Sequence, residues 1–195
     1  QSLSFGTVRW FTELEACLAL LLARPPDRLD PEIRALALVG LFQLAHGETP
    51  PHAAVAETVE AVRLLRQPRA AGLVNAVLRR FQRETAAILA AAHRQPAARH
   101  AHPAWLVEAL RHDWPEEHGA ILDAGNRQPP MWLRVNARRT DAARYQERLR
   151  EAGLEATGCA FAPEALRLDR PVDVSRLPGF AAGEVSVQDA AAQLA

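Results

Sequence analysis

The side chains with the most chemistry to offer in this sequence are its arginines, and their spacing is uneven. All 23 basic residues are arginine. Eight of them, Arg63, Arg66, Arg69, Arg79, Arg80, Arg83, Arg94 and Arg99, fall in one stretch whose single acid is Glu84. Guanidinium groups gathered in this way neutralise phosphates and release the counterions condensed on a nucleic acid. After His102 the balance reverses, with 11 arginines against 14 acids. The basic stretch is therefore local, although the formal net charge of the chain is zero. Helices also keep arginine on their wet side with no ligand involved, so composition alone leaves both readings open.

Other chemistry is sparsely supplied. Cys17 stands among Leu18, Leu20, Leu21 and Leu22, the opposite of the electropositive setting that makes a reactive thiolate, and reads as a core residue. Cys159 reads as a loop residue in a turn region next to Gly158. Two cysteines do not make a disulfide framework. His100, His102, His112 and His118 fit no zinc-binding spacing and have no cysteines nearby, so no metal site is expected. No residue is assigned a catalytic or cofactor-binding role.

The elements that must position the arginines follow from punctuation and periodicity. Leu14, Cys17, Leu18, Leu21 and Leu22 recur at helical spacing until Arg24-Pro25-Pro26 stops them. Asp30-Pro31-Glu32 offers a cap, a first-turn proline and an early acid, and starts a helix with apolar residues on nearly every side, to His46-Gly47. Helices from Pro50 to Leu65 and from about Arg69 to Ala92 complete a four-helix core. On these, Arg63 and Arg66 share a face, as do Arg79 and Arg83, while Leu73, Val77 and Phe81 point inward. A turn at Gln67-Pro68 that laid the two helices side by side would merge the arginines into one surface.

Two short helices, from about Pro103 to Asp113 and from Pro115 to Asn126, come next. From Met131 the character changes. Met131 to Asn136 reads as a strand, Thr140-Asp141 starts a helix that Gly153 stops, and Ala165 to Leu168 and Glu184 to Val187 read as two further strands. Asp189 has the character of a cap for a final helix, whose Ala190, Ala191, Ala192 and Leu194 are expected to find little to pack against and to fray.

With 49% hydrophobic and 24% charged residues, the chain has the composition of a globular protein. Its longest apolar run, Ala16 to Ala23, is too short to cross a bilayer. No signal-peptide order is present, and cytoplasm is the default location.

The stretch PPHAAVAETVEAVRLLRQPRAAGLVNAVLRRF, Pro50 to Phe81, with Glu57 on one helix and Gly72, Val74, Asn75, Leu78 and Arg79 on the next, resembles the NusB-like RNA-binding domain. RQPPMWLRVN (Arg127 to Asn136), HPAWLVEAL (from His102) and GEVSVQDAAAQ (Gly183 to Gln193) resemble the RsmB (Sun/Fmu) methyltransferases, which make 5-methylcytosine in 16S ribosomal RNA. With FGTVR near the start and LVGLFQL from Leu38 to Leu44, this resemblance covers nearly the whole chain. It implies a mainly α fold, a NusB-like helical bundle followed by a small α+β domain. The expected division is 1–95 for the RNA-binding bundle, 96–130 for a helical connector and 131–195 for the α+β domain.

The same resemblance implies that Arg63, Arg66, Arg79, Arg80, Arg83, Arg134 and Asn136 contact RNA, with Arg138 and Arg139 in a second rank. The partner would be 16S ribosomal RNA. S-adenosylmethionine would serve the full-length enzyme in a further domain, since no DxxAAPGGKT-type loop, PCS or TCS motif occurs in this sequence. The chain is thus expected to be truncated at both ends and inactive alone. Gln188 and Asp189 carry over a position in a family motif, without a catalytic role. A freestanding NusB-like antitermination factor is the alternative, against which MWLRVN and SVQDAAAQ argue. A helical protein-interaction module with arginines serving solubility is the third reading.

Overall fold

The computed structural model describes residues 2–194, which fall into two compact units divided between Arg127 and Gln128. In the first unit α1 (Ser2–Arg9), α2 (Phe11–Leu21), α3 (Pro31–His46), α4 (Pro51–Leu64) and α5 (Pro68–Ala92) are followed by α6 (Pro96–His100), α7 (Ala104–Asp113) and α8 (His118–Gly125). The predicted start of α3 is realised in full. The Asp30 carboxylate accepts the Glu32 N–H at 3.0 Å, and Pro31 occupies the first turn, where its missing donor costs nothing.

Helix α3 lies at the centre. It buries Ile33, Ala37, Leu38, Leu41 and Phe42 against Leu14 and Leu18 of α2, Val55 and Val59 of α4, and Val74, Leu78 and Phe81 of α5. Gly40 makes this possible, since a Cβ there would stand 2.8 Å from both Leu78 methyl carbons. Gly6 does the same for α1, where a Cβ would run into the Phe42 ring.

Two expectations change here. Leu73 does not point inward: it is 42% exposed, and Val74 takes the core position with Val77, Leu78 and Phe81. A strict four-residue row turns by about 40° per step around a 3.6-residue helix, so its first member drifts off the buried stripe. Helix α5 is also broken at Glu84 (φ −118°, ψ 19°), where the Thr85 hydroxyl donates to the Phe81 carbonyl at 2.7 Å and bends the backbone. Further along, α6 was not expected, and α8 begins at His118 rather than Pro115.

The second unit is a four-stranded antiparallel sheet in the order β2-β3-β1-β4, from β1 (Trp132–Val135), β2 (Ala156–Cys159), β3 (Ala162–Leu168) and β4 (Val185–Val187), with α9 (Ala142–Glu151) between β1 and β2. Leu133 pairs with Leu166 and Val135 with Val185, and these side chains form one core with Tyr145 and Leu149 of α9. Asp141 caps α9 by accepting the Arg144 N–H at 2.9 Å, and Gly153 leaves it at φ +73°.

Strand β2 is absent from the sequence expectation because Ala-Thr-Gly-Cys carries little strand propensity. Pairing to the longer β3 holds it as an edge strand, and Cys159 ends that strand beside a register shift rather than sitting in a turn. The tail also differs. Ala190 is 3% exposed, packed with Ala162 and Ala165 on the sheet face away from the main core, whereas Ala191, Ala192 and Leu194 are exposed. Asp189 accepts the Ala191 N–H at 2.8 Å, and Ala191–Leu194 forms a short 3-10 turn.

Candidate nucleic-acid interface

The packing of α4 against α5 brings two of the predicted arginines together. Arg63, in the last turn of α4, and Arg79 of α5 line one cleft of about 470 Å³ with Glu57, Glu60 and Asn75, over a floor that includes Val55 and Val59. Arg79 donates its Nε–H to Asn75 Oδ1 at 3.1 Å, and Arg63 pairs with Glu60 at 2.9 Å. The second pair is well exposed on both sides, where solvent leaves such contacts weak enough for a phosphate to replace.

The other three predicted arginines of this unit, Arg66, Arg80 and Arg83, do not line the cleft. Arg66 occupies the turn after α4 in a left-handed conformation at φ +58°. Arg80 is turned the other way, pairing with Glu84 at 3.2 Å and reaching the Leu20 carbonyl of α2 at 3.5 Å. Successive residues on a helix stand about 100° apart, which separates Arg80 from Arg79. Arg83 is exposed and makes no ion pair among the described residues.

In the second unit Arg134, Asn136 and Arg138 line a trough of about 460 Å³ together with Glu164, Ser186 and Gln188. Arg134 donates to Gln188 Oε1 at 3.3 Å and leaves its remaining donors toward the trough. Asn136 is differently employed. Its Nδ2 donates to the Gly183 carbonyl at 2.8 Å, and its Oδ1 accepts the Arg138 N–H at 3.1 Å. Asn136 therefore shapes the loop that presents Arg138. The base of β4 is fixed from another side by an ion pair between Arg148 and Glu184.

The two cysteines lie in different settings. Cys17 is fully buried, and burial, with the Glu13 carboxylate close by, pushes its thiol up to about 12. Cys159 is half-buried at the sheet edge. Burial lowers His100 from its ordinary value, and its ring stands 6.3 Å from that of His118. Among the described residues no group of three His, Cys, Asp or Glu side chains is placed to hold a metal ion, and no helix is long and apolar enough to cross a membrane.

Residues 1–83 match the NusB family, and residues 102–175 match the ferredoxin-like domain of RsmF/B-like methyltransferases. The second match begins within the helices before β1 and stops short of β4, which strand pairing includes in the same sheet. Fold and matches together define the class: a NusB helical domain followed by a ferredoxin-like α+β domain.

The chain is 49% identical over 195 residues to the ribosomal RNA small subunit methyltransferase B of Pseudomonas syringae pv. tomato, covering 100% of this chain and 44% of that protein. The proteins of the same name from Pseudomonas putida (48% identical, 100% of this chain, 44% of that one) and Vibrio cholerae (45%, 100% and 45%) agree. The chain is similar to these methyltransferase B proteins over its whole length, and it spans less than half of theirs. The crystal structure of PH0851 has the same fold, with a TM-score of 0.69 over 95% of this chain and 43% of that one at 15% identity.

Proposed function

We propose that these residues are the RNA-handling portion of a 16S ribosomal RNA cytosine-5 methyltransferase of the RsmB type, working in the cytoplasm. The NusB-like bundle, 1–95, and the α+β domain, 131–195, each offer an RNA contact, joined by the helices of 96–130. The observation that carries this reading is the pairing of Arg63 with Arg79 in the α4–α5 cleft, within the stretch that matches the NusB family. The trough holding Arg134 and Arg138 supplies a second cationic surface. Arg66 and Arg83 flank the first surface and Arg139 the second. Arg80 contributes through its exposed face, and Asn136 by positioning Arg138.

Such surfaces hold single-stranded or looped RNA by phosphate contact while the target base is extruded elsewhere. S-adenosylmethionine would supply the methyl group when bound by the full-length enzyme. The residues here do not fit that group: the two concave surfaces are open and lined by arginines, carboxylates and amides, with no glycine-rich loop to enclose a nucleoside. No step of methyl transfer is assigned to this chain.

The test is genetic. Deleting the coding region for these residues from the gene in its own organism, followed by bisulfite sequencing of 16S ribosomal RNA, is expected to remove one 5-methylcytosine. An unchanged methylation pattern would contradict the assignment.

A further inference from the structure

The α4–α5 cleft contains more than phosphate-binding groups. Glu57 lines it, and among the described residues this carboxylate takes part in no ion pair or side-chain hydrogen bond. Asn75 is half-buried; its Oδ1 is held by Arg79, while its Nδ2 has no protein partner. The cleft thus offers a double acceptor, Glu57, and a donor, the Asn75 amide, rimmed by Arg63 and Arg79. Its volume of about 470 Å³ lies in the range of small-molecule sites, and it is open to solvent, with Glu57 and Arg79 exposed.

Gly72 adds an independent observation. It lies three residues before Asn75 and seven before Arg79, on the same stripe of α5. A Cβ built there meets nothing within 4 Å, so no packing need inside the chain explains a glycine that weakens the helix. A glycine without an internal reason is suited to the close approach of a ligand.

Building on the RNA-binding reading above, we infer that the α4–α5 cleft reads a single unpaired guanine by its Watson–Crick edge. Guanine alone among the four bases presents two adjacent donors, N1–H and the 2-amino group, which match the two oxygens of Glu57. Its O6 accepts from Asn75 Nδ2. Adenine and cytosine would direct a ring-nitrogen lone pair at the carboxylate, and uracil flanks its one N–H with carbonyls. An arginine of a protein partner would also offer paired donors, but Arg63 and Arg79 repel an incoming cation and attract the phosphates that accompany a base. Exposed bases in RNA loops are read in this manner, on edges that a duplex hides.

The test is fluorescence anisotropy of the whole chain with a labelled oligo-U strand carrying one central guanine, inosine, 7-deazaguanine or adenine. Guanine and 7-deazaguanine are expected to bind alike, about tenfold more tightly than inosine or adenine. Glu57→Gln should bring the guanine-to-inosine ratio close to one without lowering affinity for oligo-U itself. Gly72→Ala should raise the melting temperature and still weaken guanine binding, a combination that a purely structural glycine would not give. Equal affinity for guanine and inosine in the unaltered chain would overturn the inference, as would a Glu57→Gln loss of the same size on every strand. Binding of an arginine peptide that Glu57→Gln abolishes, without guanine preference, would overturn it in favour of a protein partner. Absence of salt-dependent binding to every strand would instead overturn the RNA reading on which the inference stands.

Discussion

Glu13 and His93, eighty residues apart in sequence, meet at 2.7 Å between a carboxylate oxygen and Nε2. The second oxygen of Glu13 meets His46 Nε2, also at 2.7 Å. One carboxylate, 2% exposed, therefore joins the first turn of α2 to the C-terminal ends of α3 and α5. Trp10 stacks on the His46 ring at 4.0 Å and fixes its plane. Burial pushes the Glu13 carboxyl up, but the hydrogen bonds from His46 and His93 outweigh it and hold the group below its ordinary value of 4.5.

A group held below its unfolded value stabilises the fold fully above that value, and the contribution fades as pH falls through the folded one. Stability of the helical unit is thus expected to drop from about pH 4.5 downward on this account. Glu13→Gln should cost about 1–3 kcal/mol at pH 6 and progressively less in acid. Urea denaturation at a series of pH values, followed by helical circular dichroism, checks this; a constant difference between the two proteins would refute it.

Gly40→Ala places a methyl group where Leu78 already stands. Overpacking of that kind costs about 1–3 kcal/mol, whereas a free helical site would gain from alanine. Thermal melting distinguishes the two by the sign of the shift, and a lower melting temperature is expected.

The sheet register makes a paired prediction. Leu133 faces Leu166 on one side and Val187 on the other, yet Leu133 is fully buried and Val187 is 50% exposed. Leu133→Ala should therefore cost about 2–5 kcal/mol, while Val187→Ala should fall within about 0.5 kcal/mol of no effect. Denaturation curves that gave the two substitutions similar costs would contradict the register.

What the sequence disclosed and what it concealed divide along the range of the interactions. The caps at Asp30 and Asp141 and the stop at Gly153 were legible because each acts within a few residues. The match of Pro50 to Phe81 to an RNA-binding bundle was legible as a long ordered pattern. Strand β2 was not, because its residues favour no strand and only the distant β3 holds them there. Nor was the engagement of Arg80, which depends on where Leu20 of α2 lies. The clamp on Glu13 needs three helices to be placed before any of its members shows a purpose. Glu57 stands out in the sequence only as part of a family pattern; the cleft that gives it a chemical setting arises from packing.

The arginines of the α4–α5 cleft can be weighed individually. Each phosphate contact to a single strand adds about 0.7 to the slope of log K against log salt. Arg63→Gln and Arg79→Gln should each reduce that slope by roughly this amount, and Arg83→Gln should as well. Arg80→Gln should change it less, because that guanidinium is engaged with Glu84 and the Leu20 carbonyl.

RNA binding by these residues is measured most directly as the affinity of this chain for a 16S ribosomal RNA transcript across a salt series. The logarithm of the binding constant is expected to fall linearly with the logarithm of salt concentration, with the slope reduced when Arg63 and Arg79 are both replaced by glutamine. Binding that ignores salt, or no binding at any salt concentration, would contradict it.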